Sequence, residues 1–150
     1  IHETAEQLIQ LISAQYKTPV YKVQCEPENL QIFCDPGGMK QALTNIVMNA
    51  AQSIETKGFV KIDIKAGTQW VKIKIIDSGS GISQDNLKKV FDPFFTTKPE
   101  GMGQGLGLSV AYTAIEKHKG KISASSNPGR GTVFEIIVPL HAAEQQSAAC

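Results

Sequence analysis

Two neighbouring segments alternate apolar and charged residues closely enough to limit the folds open to this chain. In FVKIDIKA (59–66) and WVKIKIID (70–77), apolar residues recur at every second position and Lys or Asp fills most positions between them. This period of two is typical of strands with one buried face, and the short GTQ connection predicts a hairpin. Such a hairpin must bury its apolar face against another layer.

Helices of matching amphipathic character are predicted elsewhere in the chain. The strongest spans about 36–54, where Asp35 and Pro36 form a helix-start signal and apolar residues follow the i, i+3, i+4 rhythm. Helices are also predicted over 3–15 and about 105–119, the latter with Gly120 as C-cap. The apolar stripe of the helix over 36–54 consists of Met39, Ala42, Leu43, Ile46, Val47, Ala50, Ala51 and Ile54.

The other segments complete an α+β pattern. Strands are predicted at 20–25, 30–34, 121–126 and 132–140, with a short helix over 84–91 and a hairpin turn at NPGRG. Helices and antiparallel hairpins are segregated, which favours a two-layer α/β sandwich over a doubly wound parallel sheet. Residues 1–140 are expected to form one domain, and the small, polar residues 141–150 a disordered tail.

The bulk composition excludes several classes of partner. The 150 residues carry a net charge of +1, so nothing points to nucleic acid or to a membrane surface. No apolar run approaches the roughly 20 residues of a spanning helix. The cysteines, Cys25, Cys34 and Cys150, are odd in number and lack CxxC spacing, which favours a reducing, cytoplasmic setting. The chain does not start with methionine, so Ile1 is expected to lie inside a longer protein, for which a membrane anchor stays open.

A glycine-rich loop runs directly into the helix predicted over about 105–119. GMGQGLGLS (101–109) leaves the backbone bare at Gly103, Gly105 and Gly107. The unpaired N–H groups of a helix N terminus favour phosphate, and bare glycines let its oxygens approach. A flexible surface loop is the alternative, and a dinucleotide fingerprint is disfavoured because no strand immediately precedes the glycines.

A carboxylate lies at the end of the second predicted hairpin strand. In DSGSGI (77–82), Asp77 is followed by Gly79 and Gly81. A carboxylate only accepts hydrogen bonds, so the exocyclic amine of a purine is a suitable donor. The alternative is a turn in which Asp77 caps its own backbone.

Two further stretches carry polar groups of the same chemistry. Asn45, Asn49 and Gln52 share one side of the long helix, where amide oxygens can ligate Mg²⁺, or simply face solvent. In FDPFFTTK (91–98), the phenylalanines are either core residues or a loop hinge. Lys98 reaches either a phosphate or only solvent.

The order and spacing of these stretches resemble one known family. LTNIVMNAAQS, DSGSGI, FDPFFTTK and GMGQGLGLS resemble the N, first glycine, F and second glycine boxes of the histidine-kinase catalytic domain, and GRGT (129–132) a third glycine element. That domain belongs to a superfamily shared with gyrase B, heat-shock chaperone ATPases and mismatch-repair ATPases. The resemblance implies an ATP-binding sandwich with a mixed, mostly antiparallel sheet on three main helices.

The resemblance also implies roles for individual residues. Asn49 corresponds to the Mg²⁺ ligand, Asn45 lines the same catalytic site, and Asp77 bonds the adenine amine. The span from Phe94 to Gly103 corresponds to a mobile lid over ATP. The implied nucleotide contacts are Asn49, Gln52, Asp77, Gly79, Gly81, Ile82, Phe94, Lys98, Gly103, Gly105, Leu106, Gly107, Leu108 and Thr132.

Two positions depart from the family pattern. Many of these kinases carry Lys where this chain has Gln52, and Lys98 is a possible replacement. Hydrolysing relatives carry a Glu base where this chain has Asn45, which suits transfer of the γ-phosphoryl group rather than hydrolysis.

The resemblance implies a kinase whose phosphoacceptor lies outside this chain. None of His2, His118 and His141 stands in a complete acceptor motif, so the chain is not expected to phosphorylate itself. The implied partners are the dimerising phosphoacceptor helices of a sensor kinase and a downstream response regulator. The alternatives are a serine kinase of the anti-sigma type and a nucleotide-sensing module without transfer activity.

Overall fold

The two alternating segments lie side by side in a five-stranded sheet of the computed structural model, which describes residues 1–99 and 103–140. The strands run β1 (Pro19–Glu26), β2 (Gly58–Ala66), β3 (Trp70–Asp77), β4 (Lys121–Ser126) and β5 (Thr132–Pro139). Their spatial order is β1-β2-β3-β5-β4; β1 pairs with β2 in parallel, and the other three pairs are antiparallel. The mixed, mostly antiparallel sheet is confirmed.

Three long helices cover the apolar face of this sheet. The helices are α1 (His2–Gln15), α2 (Pro36–Gln52), the short α3 (Gln84–Leu87) and α4 (Gly107–Lys117). Apolar residues of α1, α2 and α4 share one core with the inward residues of the strands, as the two-layer α+β prediction requires. The largest fully buried side chains include Leu8, Met39, Leu43, Ile46, Ile62, Ile64, Ile73, Ile75, Ile115 and Ile136.

The helix-start signal works as predicted at α2. The Asp35 carboxylate accepts from the backbone N–H groups of Gly37 (3.1 Å) and Gly38 (2.9 Å), and Pro36 opens the first turn. The helix ends at Gln52, two residues before the predicted end, although Ile54 is still buried. The apolar stripe therefore continues for a short distance beyond the helix.

The segment 30–34 is not the strand that its sequence predicts. Leu30 is buried and Ile32 and Cys34 are half-buried against the core, so the alternation of the pattern is real. Within the described residues, however, no strand pairs with it, and it runs as irregular chain into α2. Periodicity reports which side chains are inward; it does not report whether a ladder partner exists.

Two helix ends also differ from the prediction. The helix expected over 84–91 ends at Leu87 and continues only as turns. At the end of α4 the left-handed residue is Lys119 (φ 54°), whereas Gly120 was the expected cap. Gly120 is required for another reason, since a Cβ there would lie 2.7 Å from the carbonyl oxygen of Ile137 on β5.

The outward face of the sheet carries the charged half of the alternation. Lys72 and Lys74 on β3 both lie 3.4 Å from the Glu135 carboxylate on β5. No helix among the described residues is long and apolar enough to cross a membrane. The tail expected at 141–150 lies outside the described residues.

The β4–β5 turn offers a matched pair of glycines that tests this packing. Gly129 and Gly131 both have φ 75°, but a Cβ on Gly129 meets nothing within 4 Å, whereas one on Gly131 would lie 1.9 Å from the carbonyl oxygen of Asp77. We expect Gly129→Ala to lower the free energy of unfolding by about 1–2 kcal/mol, the cost of a left-handed L-residue. Gly131→Ala should cost about 3 kcal/mol or more, because the main chain of β3 must also move.

Urea unfolding of both variants measures the difference. Equal losses for Gly129→Ala and Gly131→Ala would contradict the close contact between the turn and the end of β3.

Candidate functional site

Asp77 is a buried carboxylate at the end of β3. It is 4% exposed, and its Oδ1 accepts from the backbone N–H groups of Gly79 (2.9 Å) and Thr132 (3.2 Å) and from the Ser53 hydroxyl (3.3 Å). The carboxylate therefore joins the end of α2, the loop after β3 and the start of β5. Within residues 1–99 and 103–140, no hydrogen bond reaches its Oδ2, which leaves that oxygen as an acceptor for a ligand.

Burial and hydrogen bonding act on this carboxyl in opposite directions. Burial raises the pKa of Asp77, and the hydrogen bonds from Gly79, Thr132 and Ser53 offset that rise only in part. The ionised form is thus held at a cost in free energy. Carboxyl groups whose pKa is perturbed by burial and by specific partners cluster at functional sites.

The glycines after Asp77 are packed against the protein's own chain. A Cβ on Gly79 would lie 1.9 Å from the Ser53 hydroxyl, and one on Gly81 (φ 71°) would lie 2.1 Å from the carbonyl oxygen of Asn127. The family resemblance implies that both glycines contact the nucleotide. The structure adds that the loop itself approaches α2 and the β4–β5 turn closely.

Thr132 and Ile82 meet at one polar side chain beneath this loop. The Ser126 hydroxyl lies 3.1 Å from the Thr132 hydroxyl and accepts from the Ile82 N–H at 2.8 Å. Sequence reasoning missed Ser126 because a serine at the end of a strand has no distinguishing pattern. It fixes Thr132, and hence one of the donors to Asp77.

Asn45 connects α2 to the start of α4. Its Nδ2 donates to the carbonyl oxygen of Gly107 at 2.9 Å. A Cβ on Gly107 would lie 3.8 Å from Asn45 and 3.9 Å from Asn49, so both amides lie beside the first residue of α4. The side chains of Asn45, Asn49 and Gln52 form a row of amides along α2, called here the amide row. The structure therefore brings together this amide row and the glycine-rich start of α4.

The start of α4 is left without a side-chain cap. Leu106 is its N-cap residue, and no side chain among the described residues accepts from its first turn, in contrast to Asp35 at α2. The N–H groups of that turn can therefore serve an external acceptor. Leu108, one residue into the helix, packs against the core.

Only one of the described loop glycines requires a left-handed backbone. Gly105 has φ 67°, and a Cβ there would lie 2.4 Å from the carbonyl carbon of Phe94. A Cβ on Gly103 would lie 3.1 Å from Lys98 Cδ, a flexible side chain. Residues 100–102 of the expected lid lie outside the described residues.

Lys98 lies across the amide row of α2. Its ammonium donates to Asn49 Oδ1 at 3.4 Å and to Gln52 Oε1. Partial burial lowers the pKa of Lys98. The Gln52 Nε2 in turn donates to the Tyr16 hydroxyl at 2.7 Å, a contact that nothing in the motifs indicated.

Phe94 and Leu106 face a different cavity. They line a groove of about 1320 Å³ between the start of α2 and α4, which Phe33 and Lys117 also line. Asn45, Asn49 and Gln52 do not line it. Phe94 is 75% exposed and has φ 66°. Phe91, in contrast, packs on Phe134 with 6.3 Å between the ring centroids. Of these two phenylalanines, Phe91 is therefore the one that packs as a core residue.

The buried charge of Asp77 predicts a pH-dependent effect of substitution. Because the folded pKa is raised, wild-type stability is lost as pH rises through that pKa. Asp77→Asn removes the ionisation and keeps an Oδ1 acceptor for Gly79 and Thr132. The variant should therefore gain stability relative to wild type at pH 7, and the gain should shrink towards pH 3.

Thermal or urea unfolding across this pH range checks the expectation, with the exposed Asp85→Asn as control. A gain that grows on acidification would contradict the assignment of a raised pKa.

Known proteins with similar sequences and structures point in one direction. "Sporulation kinase E" of Bacillus subtilis (strain 168) is 43% identical to this chain over 110 residues, covering 73% of this chain and 15% of that protein. "Sensor histidine kinase ZraS" of Escherichia coli (strain K12) is 39% identical over 111 residues, covering 74% of this chain and 23% of that protein. The chain thus spans about a quarter or less of these relatives' length.

A solved structure extends the similarity to almost the whole fold. The catalytic domain of histidine kinase ThkA superposes with a TM-score of 0.85 at 30% identity, covering 95% of this chain and 93% of that domain. Residues 34–142 match the family described as "Histidine kinase-, DNA gyrase B-, and HSP90-like ATPase". On these matches and on the arrangement of α2, Asp77 and α4, the chain belongs to that ATPase family, as a domain of the type found in sensor histidine kinases.

Proposed function

We propose that this chain binds Mg·ATP and transfers the γ-phosphoryl group to a histidine on separate phosphoacceptor helices, as a step in two-component signalling. The observation that carries the proposal is the contact of Asn45 with Gly107. It sets the amide-bearing side of α2 against the uncapped start of α4. Oxygen ligands for a metal and N–H donors for phosphate thereby lie beside each other.

Asp77 supplies the selectivity for adenine in this proposal. Its Oδ1 is occupied by Gly79, Thr132 and Ser53, and its Oδ2 remains to accept from an exocyclic amine. A guanine presents a carbonyl oxygen at the corresponding position, which a buried carboxylate repels. Thr132 and Ile82, fixed by Ser126, form the neighbouring wall.

The triphosphate lies, in this proposal, between the start of α4 and the amide row. The first-turn N–H groups after Leu106 donate to phosphate oxygens, aided by the helix dipole. Lys98 already lies over Asn49 and Gln52, and a short movement of its ammonium would bring it to a phosphate. It supplies the positive charge that Gln52 lacks.

The residues present fit a magnesium ion. Asn49 Oδ1 accepts from the Lys98 ammonium, so this amide oxygen already faces a cation. Mg²⁺ prefers oxygen ligands and binds through few protein groups together with substrate phosphates. Asn49 would hold it, and when bound the ion would neutralise charge on the phosphate oxygens.

The transfer itself requires an acceptor from outside the chain. An imidazole nitrogen attacks the γ-phosphorus, the bond from that phosphorus to the bridging oxygen breaks, ADP leaves with that electron pair, and the imidazole releases its proton to solvent. Asn45 cannot act as a base for water, because its amide is not basic and donates to Gly107. Positioning and charge neutralisation are therefore what the chain contributes.

The described histidines are engaged in other contacts. The ring of His118 contacts the Asp35 N–H and the carbonyl oxygen of Ala114, and His2 lies against Glu28 and Glu6. His141 lies outside the described residues. The relatives named above as kinases include a sensor histidine kinase, which favours a histidine acceptor over the serine acceptor of anti-sigma kinases. A response regulator is the expected next acceptor.

Transfer in trans tests the proposal. We expect this chain with labelled Mg·ATP to remain unlabelled alone, and to place acid-labile, base-stable phosphate on the phosphoacceptor helices of the full protein when they are added. The same helices with the acceptor histidine replaced by Gln should remain unlabelled. Labelling of the chain alone, or a base-labile phosphoserine on the partner, would contradict the proposal.

Substitutions at Lys98 test the source of the phosphate-binding amine. Lys98→Met should weaken Mg·ATP binding about 10-fold or more, the loss of a hydrogen bond from a charged donor. Adding Gln52→Lys should restore much of the affinity, because it returns an amine to the same place. Lys88→Met, which changes an exposed lysine paired only with Asp85, is the control.

Calorimetric titration with Mg·ATP measures all of these variants. An unchanged affinity in Lys98→Met would show that this lysine serves no phosphate.

A further inference from the structure

Lys98 is held indirectly by a side chain that follows the end of α1. From the continuous contacts of Tyr16, Gln52 and Lys98 we infer that Tyr16 is a positioning residue, whose hydroxyl holds the Gln52 amide in place and thereby the Lys98 ammonium. The inference deepens the proposed function and rests on it for the phosphate role of Lys98. The contact between Tyr16 and Gln52 joins α1 to the cleft across 36 residues of sequence.

The two ends of the Gln52 amide differ in polarity, and each end contacts a different partner. An amide has one accepting oxygen and one donating NH₂ group, and rotation by half a turn exchanges them. The Lys98 ammonium can only donate and therefore takes Gln52 Oε1, which leaves Gln52 Nε2 to donate to the Tyr16 hydroxyl oxygen at 2.7 Å. Without the hydroxyl, the exposed Gln52 loses the hydrogen bond that holds its amide in place, and its Oε1 is no longer kept at one position for the ammonium.

Tyr16 is itself held in place on two sides. Its N–H donates to the carbonyl oxygen of Ile12 at 2.8 Å, and its own carbonyl oxygen accepts from the Tyr21 hydroxyl at 2.8 Å. Its ring packs against the core. The hydroxyl is therefore presented from a fixed point, and a hydrogen bond from a fixed point restricts the partner more than one from a mobile side chain.

Lys98 depends on these acceptors because it is partly removed from water. Its side chain is half-buried, and the amide oxygens of Asn49 and Gln52 replace the hydration that the ammonium has lost. An ammonium placed in advance at the edge of the phosphate cleft does not have to be ordered when the nucleotide binds. Loss of the Tyr16 hydroxyl should consequently reduce affinity through Lys98 alone.

The first test uses the nucleotide-free chain. In Tyr16→Phe, the side-chain amide resonances of Gln52 and the side-chain ¹⁵N resonance of Lys98 should move towards the values of solvated side chains. Tyr112→Phe, which removes a partly exposed tyrosine hydroxyl on α4 and none of these contacts, should leave both unchanged. Unchanged Gln52 and Lys98 resonances in Tyr16→Phe would overturn the inference, whether or not the chain binds ATP.

The second test measures Mg·ATP affinity in a double-mutant cycle. Tyr16→Phe should weaken binding about two- to ten-fold, the range for one hydrogen bond, and should have no effect in a Lys98→Met background. Additive effects of the two substitutions would overturn the inference and indicate a merely structural role of the ring. If the wild-type chain bound no nucleotide, the proposed function would fail, while the resonances of the empty chain would still decide the role of Tyr16.

Discussion

The packing of α4 on α2 is the constraint on which the rest of the site depends, and it is hydrogen-bonded at both ends. Asn45 donates to the first residue of α4, and at the far end the Asp35 N–H donates to His118 Nε2 at 2.9 Å. The His118 Nδ1 donates to the carbonyl oxygen of Ala114, so this contact requires the neutral imidazole. Between these ends the small and apolar residues Ala111 and Ile115 are fully buried. A helix fixed in this way cannot slide, and the distance between the amide row and the start of α4 is set by the fold.

Asp77, at the other side of the proposed site, is likewise held by contacts with neighbouring segments. Asp77 holds the end of α2 through Ser53 and the start of β5 through Thr132, so the carboxylate is placed by three separate segments rather than by its own strand. That arrangement keeps a charge where burial opposes it. In the proposed site, rigid elements thus supply the adenine and phosphate sides, and Lys98 comes from the loop between them. Fixed walls with one adaptable cation suit a reaction governed by positioning and charge.

Much of this was predictable, because periodicity and capping are local. The alternation of 59–66 and 70–77 gave the hairpin and its buried face, and Asp35 with Pro36 gave the start of α2. The failures share a cause: a ladder partner for 30–34 and a close neighbour for Gly120 are matters of tertiary placement. The role of Tyr16 was invisible for the same reason, since only the folded chain brings the end of α1 to Gln52. Motif order identified the family, but not the contacts that hold these residues together.

The central claim is that the nucleotide lies between the amide row of α2 and the start of α4. A crystal structure of this chain with Mg²⁺ and a non-hydrolysable ATP analogue tests it most directly. We expect the adenine amine within hydrogen-bond distance of Asp77 Oδ2, and the phosphates between Asn49 and the first turn of α4. An analogue bound instead in the groove lined by Phe33 and Lys117, with Asp77 and Asn49 out of its reach, would contradict the account.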